Sequence, residues 1–138
     1  MLDLLYSVPA IKDQVENKRH VFILIKESWK DVGYASYEIN YKSTNKTKIH
    51  KIYLLPETQG QGIGKQVINY IAEIALKNNN HVLTLNVNRH NPAIKFYERI
   101  GFKIVMEEDI DIGSNYFMND YVMDKSLKPH PTLSEGEG

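Results

Sequence analysis

Gly60, Gly62 and Gly64 alternate within the stretch Leu54-Leu55-Pro56-Glu57-Thr58-Gln59-Gly60-Gln61-Gly62-Ile63-Gly64-Lys65, where a strand-like run meets apolar residues at helical spacing. Such a junction is an anion site. The first amides of a helix lack intrahelical partners, the helix dipole is positive there, and glycines let a phosphate come close to the backbone. A turn serving chain reversal alone is the competing reading, but three glycines in so short a span carry an entropic cost that a plain turn does not require. Two well-known phosphate loops do not fit. A dinucleotide fingerprint has glycines at its first, third and sixth places, and counting from Gly60 the sixth is Lys65. A Walker A loop has a glycine five residues before Gly64 and Ser or Thr after Lys65, where this chain has Gln59 and Gln66.

The elements that must hold this loop are visible in the flanking residues. Leu2, Leu4, Leu5, Val8, Ile11 and Val15 recur at near-helical spacing, which predicts a short first helix ended or interrupted by Pro9. From His20 to Ile25 the chain is β-branched and aromatic, Ser28 to Gly33 has turn character, and Tyr34 to Tyr41 alternates; after a polar turn, Lys48 to Leu55 makes a third strand stopped by Pro56. Ile63, Val67, Ile68, Ile71, Ile74 and Ala75 share one face of a central helix that ends at Asn78-Asn79-Asn80. Leu83, Leu85 and Val87 then alternate along a strand. A second helix runs from Asn91 and Pro92 to Gly101, and strands are predicted over Phe102 to Glu107 and Tyr116 to Met123.

With 138 residues, 42% of them hydrophobic and 25% charged, the sequence predicts one domain over residues 1–127. Residues 128–138, with two prolines and a Ser-Glu-Gly-Glu-Gly ending, read as a disordered tail or a cloning remnant. Seventeen basic residues balance seventeen acidic ones, so no net field favours nucleic acid or an anionic membrane. The absence of cysteine removes disulfides, thiolate metal sites and a cysteinyl intermediate, and no metal is expected. Residues 1–10 lack the features of a secretory signal, no apolar run approaches a membrane span, and a cytoplasmic location is the default expectation.

Gln59, Gly62 and Gly64 fill the places of Gln or Arg, two residues, Gly, one residue, then Gly or Ala. In that pattern the segment resembles the acetyl-CoA loop of the GNAT superfamily of N-acetyltransferases. A second match lies in Asn91-Pro92-Ala93-Ile94-Lys95-Phe96-Tyr97-Glu98-Arg99-Ile100-Gly101-Phe102, which is similar to the superfamily's second cofactor motif with its Gly-Phe ending. Together the matches cover residues 20–125. They imply an α/β (α+β) fold with a GNAT-like, mixed and mostly antiparallel central sheet, helices on both faces, and an N-terminus shortened to one helix where a strand and two helices are usual. Acetyl-CoA is the implied cosubstrate, with a small-molecule or protein amine as acceptor, and a homodimer is left open. The Tyr116-Phe117-Met118 and Asp120-Tyr121-Val122-Met123 pairing also resembles the ending of bacterial diamine and polyamine N-acetyltransferases.

By this resemblance the backbones of Ile52, Tyr53 and Leu54 pair with the pantetheine arm, and an amide there serves as oxyanion donor. The amides of Gly60, Gln61, Gly62, Ile63, Gly64 and Lys65 hold the pyrophosphate. Asn91 is the implied pantetheine contact, although it precedes Tyr97 by six residues, one fewer than usual, which would turn it by about 100°; Asn88 is the substitute, and Asn91 also suits a plain N-cap. Tyr97 is the implied general acid. Its phenol, ordinarily near a pKa of about 10, suits protonation of a departing thiolate, while packing beside Phe96 is the other reading. The places of the usual basic glutamate hold Lys48 and Asn86, which leaves His50 or water; a lone strand histidine is as readily a packing residue. The acidic Glu107-to-Gly113 segment and Asp120 could draw a cationic amine. A coenzyme A-binding module with little catalysis is the alternative function, since the missing N-terminal elements would wall the acceptor.

Overall fold

The computed structural model describes residues 2–8, 19–113 and 116–128, with 2–8, 110–112 and 116–118 described by their backbone. Seven strands form one sheet in the order β1-β2-β3-β4-β5-β7-β6. In chain order these are β1 (Leu2–Val8), β2 (Val21–Glu27), β3 (Lys30–Glu38) and β4 (Lys46–Leu54), helix α1 (Ile63–Lys77), β5 (Val82–Asn88), helix α2 (Ala93–Arg99), β6 (Lys103–Gly113) and β7 (Tyr116–Ser126). All neighbours are antiparallel except β4 and β5. The expected mixed, mostly antiparallel sheet is therefore observed.

The first helix is corrected over Leu2–Val8, which is a strand paired with β2. Leu2, Leu4, Tyr6 and Val8 also fall at a spacing of two, and an available β2 edge decides between the two periodicities. The rest of that predicted helix, with Ile11 and Val15, and the predicted tail over 129–138 lie outside the described residues. The strand counted as missing from the N-terminus is thus present. The first turn is also tighter than expected: Ser28 and Trp29 take positive φ of 51° and 73° while Glu27 pairs with Lys30, a two-residue hairpin turn whose twist matches the strands.

Val67, Ile68, Ile71 and Ala75 of α1 are at most 1% exposed and pack with Ile23, Ile25, Ala35, Ile49, Leu83 and Leu85. Each buried Val, Ile or Leu among them contributes about 1.5–3 kcal/mol by leaving water, so α1 is fixed by its apolar face. Asn80, fully buried, secures its far end: its Oδ1 accepts from Thr47 Oγ1 at 2.7 Å and from the Asn40 N–H at 3.0 Å, and its amide donates to Asn40 Oδ1 at 2.8 Å.

β4 and β5 part company. Their ladder runs from Lys46↔Val82 to Ile49↔Leu85, while β4 continues to Leu54 and β5 to Asn88. At that point β4 also bulges against β3, since Ser36 faces Lys51 and Tyr37 faces Ile49, with His50 as the extra residue. A bulge bends its strand and strengthens the local twist, which opens a gap in the middle of the sheet beside the start of α1.

Candidate active site

The glycine loop lies at this gap. A short 3-10 turn over Pro56–Thr58 is held by Thr58 Oγ1, which donates to the Leu55 carbonyl at 2.7 Å. Gly60 and Gly62 then adopt φ of +86° and +77°, and a β-carbon on either would meet no atom within 4 Å. The left-handed backbone requires glycine there at least cost, and the space above it is open. Among the described residues, Gln59 N–H donates to the Pro56 carbonyl and the next loop donor in use is Gln66 N–H, to the Gly62 carbonyl. The amides of residues 60–65 have no backbone acceptor among the described residues, as is usual at the start of a helix.

These amides border a cleft of about 900 Å³ between α1, α2 and the free part of β4. Of the residues singled out from the sequence, Ile52, Leu54, Gln59, Gly60, Gly62, Ile63, Gly64, Lys65, Asn91 and Tyr97 all line it. Tyr53 and Gln61 do not. The Tyr53 ring is half exposed and lies 5.8 Å from that of Tyr34, and Gln61 Nε2 reaches back to the Glu57 carbonyl at 3.5 Å; for both, the expected role is a backbone one. Arg99 also lines the cleft and was not anticipated. Its place in the last turn of α2 reads from sequence as a dipole-complementing cation, and the register of α2 against the loop is what brings it to the same opening as Lys65.

Tyr97 packs in the core as one reading had it, and it also lies at the cleft. Its ring packs 5.4 Å from Phe96 and 5.6 Å from Phe102, while its side chain also borders the cleft. Burial pushes its phenol above the ordinary tyrosine range, so the hydroxyl keeps its proton across neutral pH. Asn91 borders the cleft too, with Oδ1 accepting the Ala93 N–H at 2.8 Å, which makes it a helix-start cap. Asn88 Oδ1 is engaged by the His90 N–H at 3.0 Å.

On the face of the sheet away from α1, polar groups gather around the gap. Lys48 Nζ donates to Tyr41 Oη at 3.2 Å, and Asn86 Nδ2 to Glu108 Oε1 at 2.8 Å. The acidic segment is part of β6, which runs beyond the predicted end at Glu107: Glu107 and Asp109 pair with Arg89 at 3.3 and 3.6 Å, whereas Glu108 turns toward Asn86. Asp120 is 4% exposed and its Oδ1 is buried without a hydrogen-bond partner. His50 is not a lone histidine, for it stacks on His20 with ring centroids 3.8 Å apart and lies 2.9 Å from Glu38 Oε1 through Nε2.

The model of the acetyltransferase (GNAT) family matches residues 3–102, which takes in the sheet as far as the ladder end, the glycine loop and α2. The chain belongs to the GNAT acetyltransferase family. Among curated GNAT relatives, it is 33% identical over 87 residues to an uncharacterized N-acetyltransferase of Methanocaldococcus jannaschii, covering 59% of this chain and 38% of that one. It is 35% identical over 81 residues to the thialysine N-epsilon-acetyltransferase of Bos taurus, covering 56% and 48%. The chain thus spans less than half the length of these two relatives. Among solved GNAT structures, the PaiA N-acetyltransferase of Thermoplasma acidophilum, in complex with coenzyme A, superposes with a TM-score of 0.65 at 26% identity, over 85% of this chain and 67% of that one. Among the described residues, no helix is long and apolar enough to cross a membrane.

Proposed function

We propose that this chain transfers the acetyl group of acetyl-CoA to a primary amine by direct attack in a ternary complex. The observation that carries this reading is the row of uncommitted amides over residues 60–65, which opens onto the same cleft as the Tyr97 side chain. Those amides, with Lys65 and Arg99 beside them, supply donors and positive charge for the diphosphate. The edge of β4 beyond Ile49, released from β5, offers backbone groups to the pantetheine amides as an added strand would. An amide at the same place, held rigid by β3, receives the oxyanion without reorganisation. Tyr97 donates its proton to the departing thiolate. Family membership and a coenzyme A complex among the structural neighbours support the choice of cosubstrate.

The acceptor is a cationic amine in solution. Glu108 and the buried, half-partnered Asp120 stand on the polar face by the gap, where a carboxylate holds an ammonium group. A relative named for acetylation of the thialysine ε-nitrogen agrees with an alkylamine nucleophile. The test is release of free coenzyme A from acetyl-CoA in the presence of lysine peptides, thialysine and spermidine. Release with one of these, abolished in Tyr97→Phe while acetyl-CoA still binds, is the expected result. Binding of acetyl-CoA with no release for any amine would leave a coenzyme A-binding module.

A further inference from the structure

We infer that the Glu38–His50 pair accepts the proton lost by the acceptor nitrogen, with His50 as the base and Glu38 as its positioning residue; this rests on the acetyl-transfer reading above. His50 is the extra residue of the β4 bulge and directly follows Ile49, the last residue of β4 paired with β5. Ile52, two residues on and roughly 7 Å along the strand, lines the coenzyme cleft. The His50 backbone therefore stands where β4 leaves β5, while its ring leans over β3 toward Glu38 and His20.

Its surroundings are built. His50 Nε2 lies 2.9 Å from Glu38 Oε1 on β3, and His20, just ahead of β2, stacks on the ring with its own Nε2 3.7 Å from the same oxygen. The Tyr41 ring meets His50 edge-on at 5.8 Å and receives Lys48 Nζ over its face at 4.6 Å. With Nε2–H donated to Glu38, the tautomer leaves the lone pair on Nδ1. Burial lowers the His50 pKa below its ordinary value, electrostatic repulsion from His20 and Lys48 acts in the same direction, and the Glu38 hydrogen bond opposes them. The ring is neutral and receptive at neutral pH, and the carboxylate stabilises the imidazolium once it forms.

The step balances without another reagent. The acceptor ammonium first gives one proton to solvent, and its neutral nitrogen then attacks the thioester carbon, forming C–N while the carbonyl pair moves to oxygen. The proton from that nitrogen passes through water in the gap to His50 Nδ1. The oxyanion then reforms C=O, the C–S bond breaks, and the sulfur takes the Tyr97 proton; solvent returns the proton from His50 to Tyr97. The same three side chains, His20, Glu38 and His50, also bring donor atoms within 4.8 Å of one another. Ring planes only 20° apart in a stack send their lone pairs side by side rather than to one point, so the arrangement suits a shared proton better than a tetrahedral metal.

The test compares kcat/KM of the unaltered chain with His50→Gln and Glu38→Gln across about pH 5.5–9, with one acceptor found by coenzyme A release. Dividing the unaltered rate by that of a variant cancels the acceptor's own titration. For His50→Gln the expected ratio is about 1 in acid, where His50 is protonated and idle, rising to about tenfold or more above its pKa. For Glu38→Gln the midpoint of the acid limb moves to lower pH, because the group favouring the imidazolium has gone. A ratio independent of pH in His50→Gln, with the acetyl-CoA-induced rise in Tm intact, means packing alone and overturns the inference while sparing the acetyl-transfer reading. Activity that appears on adding Zn2+ and disappears with a chelator overturns it in favour of a metal. Loss of acetyl-CoA binding by the unaltered chain, or no acetylation of any amine, removes the reading beneath it.

Discussion

A β-carbon on Gly64 would lie 3.2 Å from the tip of the Phe96 ring and 3.8 Å from Leu54, so the start of α1, the middle of α2 and the end of β4 meet at one residue without a side chain. This contact sets the width of the cleft beside the glycine loop, since Gly64, Phe96 and Leu54 all line it. Gly64→Val forces Phe96 off its rotamer or pushes α2 away. The expected loss is about 1–3 kcal/mol of stability, read as a Tm lower by several degrees, with weaker acetyl-CoA binding by calorimetry. Unchanged stability and affinity would show that α2 is not held by this contact.

Acetyl-CoA should raise the Tm of the unaltered chain, because a ligand bound by the native state alone stabilises it by about 2.7 kcal/mol at a hundredfold excess over Kd. Gly62→Asp should remove most of that shift. Aspartate tolerates the left-handed region better than most residues, and no atom lies within 4 Å of its β-carbon, so the fold survives while a carboxylate projects toward the diphosphate. An equal shift in the variant would move the phosphate site elsewhere.

Tyr97→Phe should leave acetyl-CoA affinity unchanged and lower kcat by about 10²–10⁴-fold. The sign with pH follows from the phenol being raised by burial: an acid must be protonated to act, so the loss persists throughout neutral pH and fades only in alkali above the ordinary tyrosine range. Steady-state kinetics between about pH 7 and 10 checks this. A fall in affinity with kcat preserved would make Tyr97 a packing residue alone.

The site was legible in the sequence where it depends on local backbone, and hidden where it depends on register. Gly60 and Gly62 announce the positive φ of the loop, and the spacing of Ile63, Val67, Ile68 and Ile71 gives α1, because both are properties of a few consecutive residues. The β1 strand was misread since Leu2, Leu4 and Val8 satisfy two periods at once, and the deciding partner, β2, is far along the chain. Glu38 and His50 are twelve residues apart, and nothing local says that β3 and β4 face each other with a bulge between Ser36 and Tyr37. Arg99 was missed for the same reason, and the Asn86 contact of Glu108 likewise needed the strand register. Tyr97 was found through a motif, but its double role in core and cleft needed the packing of α2.

His50 also ties stability to pH. Its folded pKa lies below the ordinary value of 6.5, mainly through burial, so the unfolded chain binds the proton more readily. Stability from this group is full above that ordinary value and is lost as pH falls through the lower folded one. Thermal melts at decreasing pH should therefore show a steeper fall in Tm for the unaltered chain than for His50→Gln. Parallel curves would mean that His50 is solvated and charged in the folded chain.

Asp120 faces Asn88 across β5 and Glu108 across β6, and its buried Oδ1 has no partner. A buried carboxylate oxygen left unpaired is costly and in native proteins calls for a reason; an arriving ammonium group supplies one. Asp120→Asn keeps the shape and removes the charge. With a polycationic acceptor such as spermidine, KM should rise by about 10–100-fold, the worth of a charged hydrogen bond of about 1.5–3 kcal/mol, with kcat little changed. With an uncharged-tailed monoamine the rise should be much smaller, since a single nitrogen must sit at the thioester and leaves no second charge to hold. Equal effects on both amines would assign Asp120 to the fold rather than to the acceptor.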